Sequence, residues 1–115
     1  MKVLVCGGRD YANWKKGFAI LDMVSLTDEI EIVNGGASGA DAMSSEWAKL
    51  RGRPFKEYPA DWQTHGRRAG PIRNQQMLSA ESPDAVIAFP GGLGTADMVR
   101  RAKAAGMRVV EVEAD

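Results

Sequence analysis

The chain has 115 residues, 44% hydrophobic and 26% charged, with Lys plus Arg and Asp plus Glu balanced at 15 each. That length supports one domain with its own core and leaves no room for a second. The balanced charge lacks the polyelectrolyte footprint of a duplex-binding protein, and no apolar run approaches the ~20 residues that span a bilayer.

Residues 2–6 read as a short apolar strand, followed by a loop, Gly7-Gly8-Arg9-Asp10-Tyr11. Asn13 caps a helix reaching about residue 26, with Trp14, Phe18, Leu21 and Met23 supplying its apolar period. A second strand covers 30–33. A Gly-rich turn over 34–41 then leads into a helix to about residue 51, with Ala42, Met43, Trp47 and Leu50 inward and Gly52 as the stop. Residues 55–58 form a weaker strand. A polar loop over 59–70 carries Trp62, His65, Arg67 and Arg68. Pro71 suits the first turn of a helix that runs to about residue 80. A fourth strand over 85–89 runs into Pro90-Gly91-Gly92-Leu93-Gly94-Thr95. A helix over 95–105, stopped by Gly106, and a strand over 108–112 complete the chain.

Short apolar strands alternating with helices predict an α/β fold: one Rossmann-like domain over 1–115, with helices on both faces of a five-stranded parallel sheet. Right-handed crossovers favour the strand order 3-2-1-4-5. In that order strands 1 and 4 are neighbours at the switch point, where such sheets bind ligands. Three Gly-rich loops then meet at one edge: Gly7-Gly8-Arg9, residues 35–41, and residues 90–95. Glycines let the backbone approach a ligand, and the unpaired N–H groups of a following helix attract anions. A phosphate is expected on the N–H groups of Gly91, Gly92, Gly94 and Thr95, beside Pro90 and assisted by Gly36, Ala37 and Ser38. Arg9 would neutralise charge.

Seven basic and two acidic residues lie between Lys49 and Arg73, in a chain that is neutral overall. A local basic stretch of this kind suits a small anionic ligand. Cys6 is the only cysteine and His65 the only histidine. They exclude an internal disulfide and a structural zinc site, and no metal site is expected. A reducing, cytoplasmic location without a membrane partner is expected, since no signal-peptide h-region is present. The P-loop pattern G-x-x-x-x-G-K-[ST] is missing, as are a true G-x-G-x-x-G after the first strand and a G-x-S-x-G elbow.

Four segments together carry a resemblance that covers nearly the whole chain: Gly7-Gly8-Arg9-Asp10-Tyr11, Gly36-Ala37-Ser38-Gly39-Ala40-Asp41, residues 70–78 (Gly-Pro-Ile-Arg-Asn-Gln-Gln-Met-Leu) and residues 89–99. In that combination the chain resembles the YpsA-related branch of the SLOG superfamily. That superfamily also holds the LOG phosphoribohydrolases and the DNA-processing protein DprA. The resemblance implies a Rossmann-like binder of nucleotides or nucleotide derivatives. It also implies an association with bacterial or phage conflict systems, Arg73 and Asn74 at the ligand, and freedom to form a homo-oligomer. LOG enzymes carry P-G-G-x-G-T-x-x-E; here Met98 stands at the glutamate position and Asp97 one residue earlier. On a helix that turns the carboxylate by roughly 100°.

The expectation is therefore a binding or sensing module for a nucleotide-type ligand, with or without magnesium. One alternative is a LOG-like phosphoribohydrolase cleaving an N-glycosidic bond, with Arg73 and Asp97 catalytic or Asp41 activating water. A second is DprA-like binding of single-stranded DNA, which the neutral total charge argues against. Several residues stay open. Asp41 serves as a helix cap, or holds ribose or a hydrated cation. Asp97 complements the helix dipole or reaches the ligand. Trp62 stacks on a base or lids the core.

Overall fold

The computed structural model describes all of residues 1–115. Strand β1 (Lys2–Cys6) is central because it is apolar on both faces. Val3 and Val5 bury on one side, Leu4 and Cys6 on the other, as the two-residue period of a strand requires. With β2 (Glu31–Asn34), β3 (Phe55–Glu57), β4 (Ala85–Ala88) and β5 (Arg108–Glu111) it forms a wholly parallel sheet in the order β3-β2-β1-β4-β5. The expected Rossmann-like topology is thus present. Leu4 pairs with Val33 on one side and Val86 on the other, so β1 lies fully inside the ladder. The edge strand β3 is exposed along its length and carries Lys56 and Glu57, charges that discourage edge-to-edge pairing.

Helices α1 (Trp14–Val24) and α2 (Ala40–Leu50) cover one face, packing Leu21, Met43 and Trp47 on Val5, Ile32 and Phe89. Helices α4 (Ala69–Glu81) and α5 (Leu93–Ala104) cover the other, packing Met77, Leu78 and Met98 on Leu4, Val33 and Val86. The helices therefore change faces between β1 and β4, and that divergence opens the sheet's carboxyl edge.

Four local expectations need correction. First, α1 ends at Val24, and its buried stripe runs through Gly17 and Leu21 rather than Trp14 and Met23. Met23 is 69% exposed because two positions from Leu21 is about 200° around a helix. Second, the inward stripe of α2 is Met43, Ser44, Trp47 and Ala48, and Leu50 at its last residue is exposed.

Third, the loop over 59–70 is not structureless. It holds a short helix α3 (Trp62–His65), capped where the Asp61 carboxylate accepts from the Thr64 N–H, and then a 3-10 turn, Gly66–Arg68. Helix α4 already begins at Ala69, with Pro71 third. Its missing N–H falls among those that have no intrahelical partner anyway. Fourth, α5 begins at Leu93, two residues before Thr95, with Gly92 as its N-cap.

Candidate functional site: a crevice at the switch point

A crevice of about 470 Å³ opens at the carboxyl ends of β1, β2 and β4. Backbone contacts weld its loops together. The Gly8 N–H donates to the Pro90 carbonyl at 2.9 Å, and the Gly8 carbonyl accepts from Ala40 N at 3.1 Å and Tyr11 N at 3.2 Å. A Cβ on Gly7 would sit 2.6 Å from the Ala40 Cβ, and one on Gly91 would strike Thr95 and the Gly7-Gly8 backbone. These glycines serve close packing between loops. Gly92 and Gly94 differ: beyond its chain neighbours and its own helix backbone, a Cβ there would meet nothing within 4 Å. Both line the crevice.

Among the residues singled out from sequence, the structure gathers Gly7, Gly8, Arg9, Ala37, Asp41, Arg73, Asn74, Gly92, Gly94, Thr95 and Asp97 around this space. Gly36, Ser38, Pro90 and Gly91 stand outside its lining. The Ser38 hydroxyl donates to the Arg9 carbonyl at 2.9 Å, tying two loops together. Because α5 starts early, its unpaired first-turn N–H groups belong to Leu93, Gly94 and Thr95; Ala96 N already bonds the Gly92 carbonyl at 3.0 Å.

The β2 loop is organised from buried side chains. Asn34 accepts from the Gly36 N–H at 2.9 Å through Oδ1, and its Nδ2 reaches Ser44 Oγ at 2.8 Å and the Asp41 carbonyl at 3.0 Å. Asp41 does not cap its own helix, whose N-cap is Gly39. Instead its Oδ2 accepts from the N–H groups of Gly35 at 3.1 Å and Ala37 at 3.2 Å, drawing the loop inward. Oδ1 accepts no hydrogen bond. Burial pushes the Asp41 carboxyl up to about 6, against the two N–H donors and the Arg73 charge. Cys6, on the same floor, is raised to about 12, chiefly by burial with Asp41 adding to it, so it is an inert thiol.

This arrangement predicts a pH dependence. An acid whose folded pKa is raised stabilises the fold fully below its unfolded pKa and loses that contribution as pH rises through about 6. For Asp41 the loss is roughly 3 kcal/mol in all and about 1 kcal/mol between pH 5 and 7. Urea titrations of wild type and Asp41→Asn across that range should diverge by this amount, with the variant flatter. Parallel curves would remove Asp41 as the cause.

Arg73 enters from α4. Its Nη1 donates to the carbonyls of Gly35 at 2.7 Å and Tyr58 at 3.2 Å, and its Nε to Asn74 Oδ1 at 3.1 Å. Burial draws its pKa below the ordinary arginine value, partly offset by Asp41. Asp97 is buried with both oxygens engaged: Oδ1 by Arg100 at 2.6 Å, Oδ2 by Arg101 at 2.9 Å and Asn74 at 3.0 Å. Burial would raise its pKa, but Asn74 and Arg101 hold it below the ordinary carboxylate range.

Arg9, and Arg67 from the basic stretch over 49–73, line the crevice without a carboxylate partner, whereas Arg51, Arg53 and Lys56 of that stretch form surface or part-buried ion pairs. The Arg9 guanidinium stacks over the Trp62 ring at 5.0 Å from its centroid, and Trp62, 47% exposed, rests over Gly70. Trp62 therefore walls the crevice and does not lid the core. Leu93, 91% exposed at the first position of α5, also lines it. Gly35 and Leu93 fall inside the loops that the sequence placed at this edge, whereas the contacts of Asn34 and the place of Arg67 in the lining were not foreseen. Asn34 opens the Gly-rich turn over 34–41, and Arg67 was one of seven basic residues with nothing to single it out; nothing in the chain marked Leu93 as an exposed wall.

A family model described as YAcAr, the YspA, cpYpsA-related SLOG family, matches residues 1–65. The Gene 61 protein of Mycobacterium phage D29 is 37% identical, across 95% of this chain and 94% of its own length. Among solved structures, TM1055 superposes with a TM-score of 0.73 at 20% identity, over 94% of this chain and 71% of its own. Acinetobacter baumannii MurG superposes with a TM-score of 0.62 at 12% identity, over 96% of this chain and 34% of its own. At those identities the two structures bear on the fold alone.

Proposed function

Because the chain belongs to the YspA, cpYpsA-related SLOG family, we propose that it binds a nucleotide or nucleotide derivative in the switch-point crevice, as a binding or sensing module. One observation carries this reading. Two unpaired guanidiniums, the free edge of Arg73, and the open backbone of Gly92 and Gly94 border a single cavity. Phosphate would rest on the N–H groups of Leu93, Gly94 and Thr95, with the Thr95 hydroxyl beside them. Arg73 would present Nη2, which donates to no protein group, and guanidiniums suit phosphate oxygens geometrically. Trp62, already stacked by Arg9, offers an aromatic face for a base. No cluster of three or more His, Cys, Asp or Glu is present that could hold a metal. Magnesium would arrive on the ligand's phosphates.

A second reading, a nucleotide N-glycosidic hydrolase, has one observation in its favour. Asp41 lines the crevice with a pKa of about 6 and a free Oδ1, which suits a general base. Asp97 is a poor base, since Arg100, Arg101 and Asn74 saturate it. DprA-like binding of single-stranded DNA would show as a steep salt dependence.

Thermal-shift assays with AMP, ADP-ribose, NAD, cyclic dinucleotides and inorganic phosphate test the proposal. A ligand at 100 times its dissociation constant should add about 2.7 kcal/mol, several degrees for a domain of this size. Arg73→Ala should shrink the shift, leaving weaker binding through the α5 N–H groups and the two other guanidiniums. Free base accumulating in the wild-type mixture, and not with Asp41→Asn, would favour the hydrolase. No shift with any nucleotide would sink the binding reading.

A further inference from the structure

We infer that Asn74 and Asp97 are positioning residues that act through Arg73, not ligand contacts in their own right. This rests on the reading of the crevice as an anion site.

Asn74, on α4, is buried against α5. Its Nδ2 faces two groups that can only accept: Asp97 Oδ2 at 3.0 Å and the Gly94 carbonyl at 3.2 Å. The amide therefore has one chemically allowed orientation. That orientation turns Oδ1 outward to accept from Arg73 Nε at 3.1 Å. Were the amide reversed, an NH2 would confront an arginine that has no acceptor.

Asp97 makes the orientation obligatory because an ionised carboxylate cannot donate. It is itself immobilised on both oxygens by Arg100 and Arg101. With Nε held by Asn74 and Nη1 held by Gly35 and Tyr58, the planar Arg73 group is fixed on two edges. Nη2 is the edge left for a ligand. The contact from Asn74 to the Gly94 carbonyl joins the same chain to the first turn of α5. One connected set of hydrogen bonds thus sets the arginine and the helix start relative to each other. It also supplies a reason for an acid at position 97 that involves no proton transfer.

Two readouts test this independently. The first needs no ligand: the Arg73 Nε–H resonance in nitrogen-correlated NMR spectra, assigned by its loss in Arg73→Lys. In Asn74→Leu, which removes the acceptor, that resonance should shift and exchange faster with water while backbone amides distant from the crevice stay in place. Asp97→Asn, which removes one of the two acceptors that hold the amide and the charge that anchors Arg100 and Arg101, should broaden it, and serves alone if Asn74→Leu fails to fold. An unchanged Nε–H resonance would overturn the inference whatever the ligand proves to be.

The second readout is a double-mutant cycle with AMP as the probe. Asn74→Leu should weaken AMP about tenfold in wild type, the effect of misaligning one charge-assisted hydrogen bond. It should have no further effect in an Arg73→Ala background. A tenfold loss that persists without Arg73 would make Asn74 a direct contact and overturn the inference. If AMP binds neither protein, the crevice reading fails while the NMR result still decides the relay.

Discussion

Gly39→Val should cost about 4 kcal/mol of folding stability, the sum of backbone strain and a collision with immovable atoms. Gly39 is the N-cap of α2 at φ 73° and ψ −123°, a region that side-chain-bearing residues avoid. An added Cβ would run into the Gly8 carbonyl oxygen and the Arg9 backbone. Neither can retreat cheaply. The Gly8 carbonyl is the acceptor for both Ala40 and Tyr11, and the Gly8 N–H holds the Pro90 carbonyl. A shift large enough to admit Val therefore unfastens the β1 loop from α2 and from the β4 loop together. Against a total of roughly 5–15 kcal/mol, the variant would be marginal. Urea unfolding monitored by circular dichroism measures it directly. A loss under about 1 kcal/mol, within reach of an ordinary surface change, would mean that the loops are not packed as described.

Gly94→Val should do the opposite: fold as well as wild type and lose nucleotide affinity at least about a hundredfold, equivalent to about 2.7 kcal/mol. Gly94 is the second residue of α5, and beyond its chain neighbours and its own helix backbone its Cβ would meet nothing within 4 Å. Glycine is the poorer helix former, so the melting temperature should hold or rise slightly. The side chain would instead occupy room at the first turn of α5, where the free N–H groups of Leu93, Gly94 and Thr95 are proposed to meet phosphate. Calorimetric titration with whichever nucleotide gives the largest thermal shift reads the loss. Wild-type affinity in Gly94→Val would move the binding site away from the α5 start. The pair of variants separates the two uses of glycine around this crevice, tight backbone packing and open access.

Much of this architecture was legible before any coordinates. The parallel sheet followed from short apolar strands alternating with helices, its order from right-handed crossovers, and Gly-rich loops after β1, β2 and β4 pointed to one edge of it. Less legible were features decided by single residues at loop ends. Helix α3 was signalled only by Asp61 three residues before Thr64, a cap pattern too short to stand out from a polar loop. The early start of α5 placed the unpaired first-turn N–H groups on Leu93, Gly94 and Thr95, because Gly92 rather than Gly94 stands at the N-cap. No helix is long and apolar enough to cross a membrane.

Fold class, strand order, family resemblance and the sheet edge where the crevice opens were all readable from the order of residues. Those depend on local periodicity, turn chemistry and the handedness of crossovers, which neighbouring residues dictate. What the individual side chains do there was set by packing between elements. Asp41 became a staple for the β2 loop, Ser38 a tie to the Arg9 carbonyl, and Asp97 the far end of a chain that reaches Arg73. Each of those roles depends on a partner distant in sequence. A carboxylate or hydroxyl has the same chemistry wherever it stands, and burial and the identity of the donor opposite it are set by packing between elements that the local pattern does not describe.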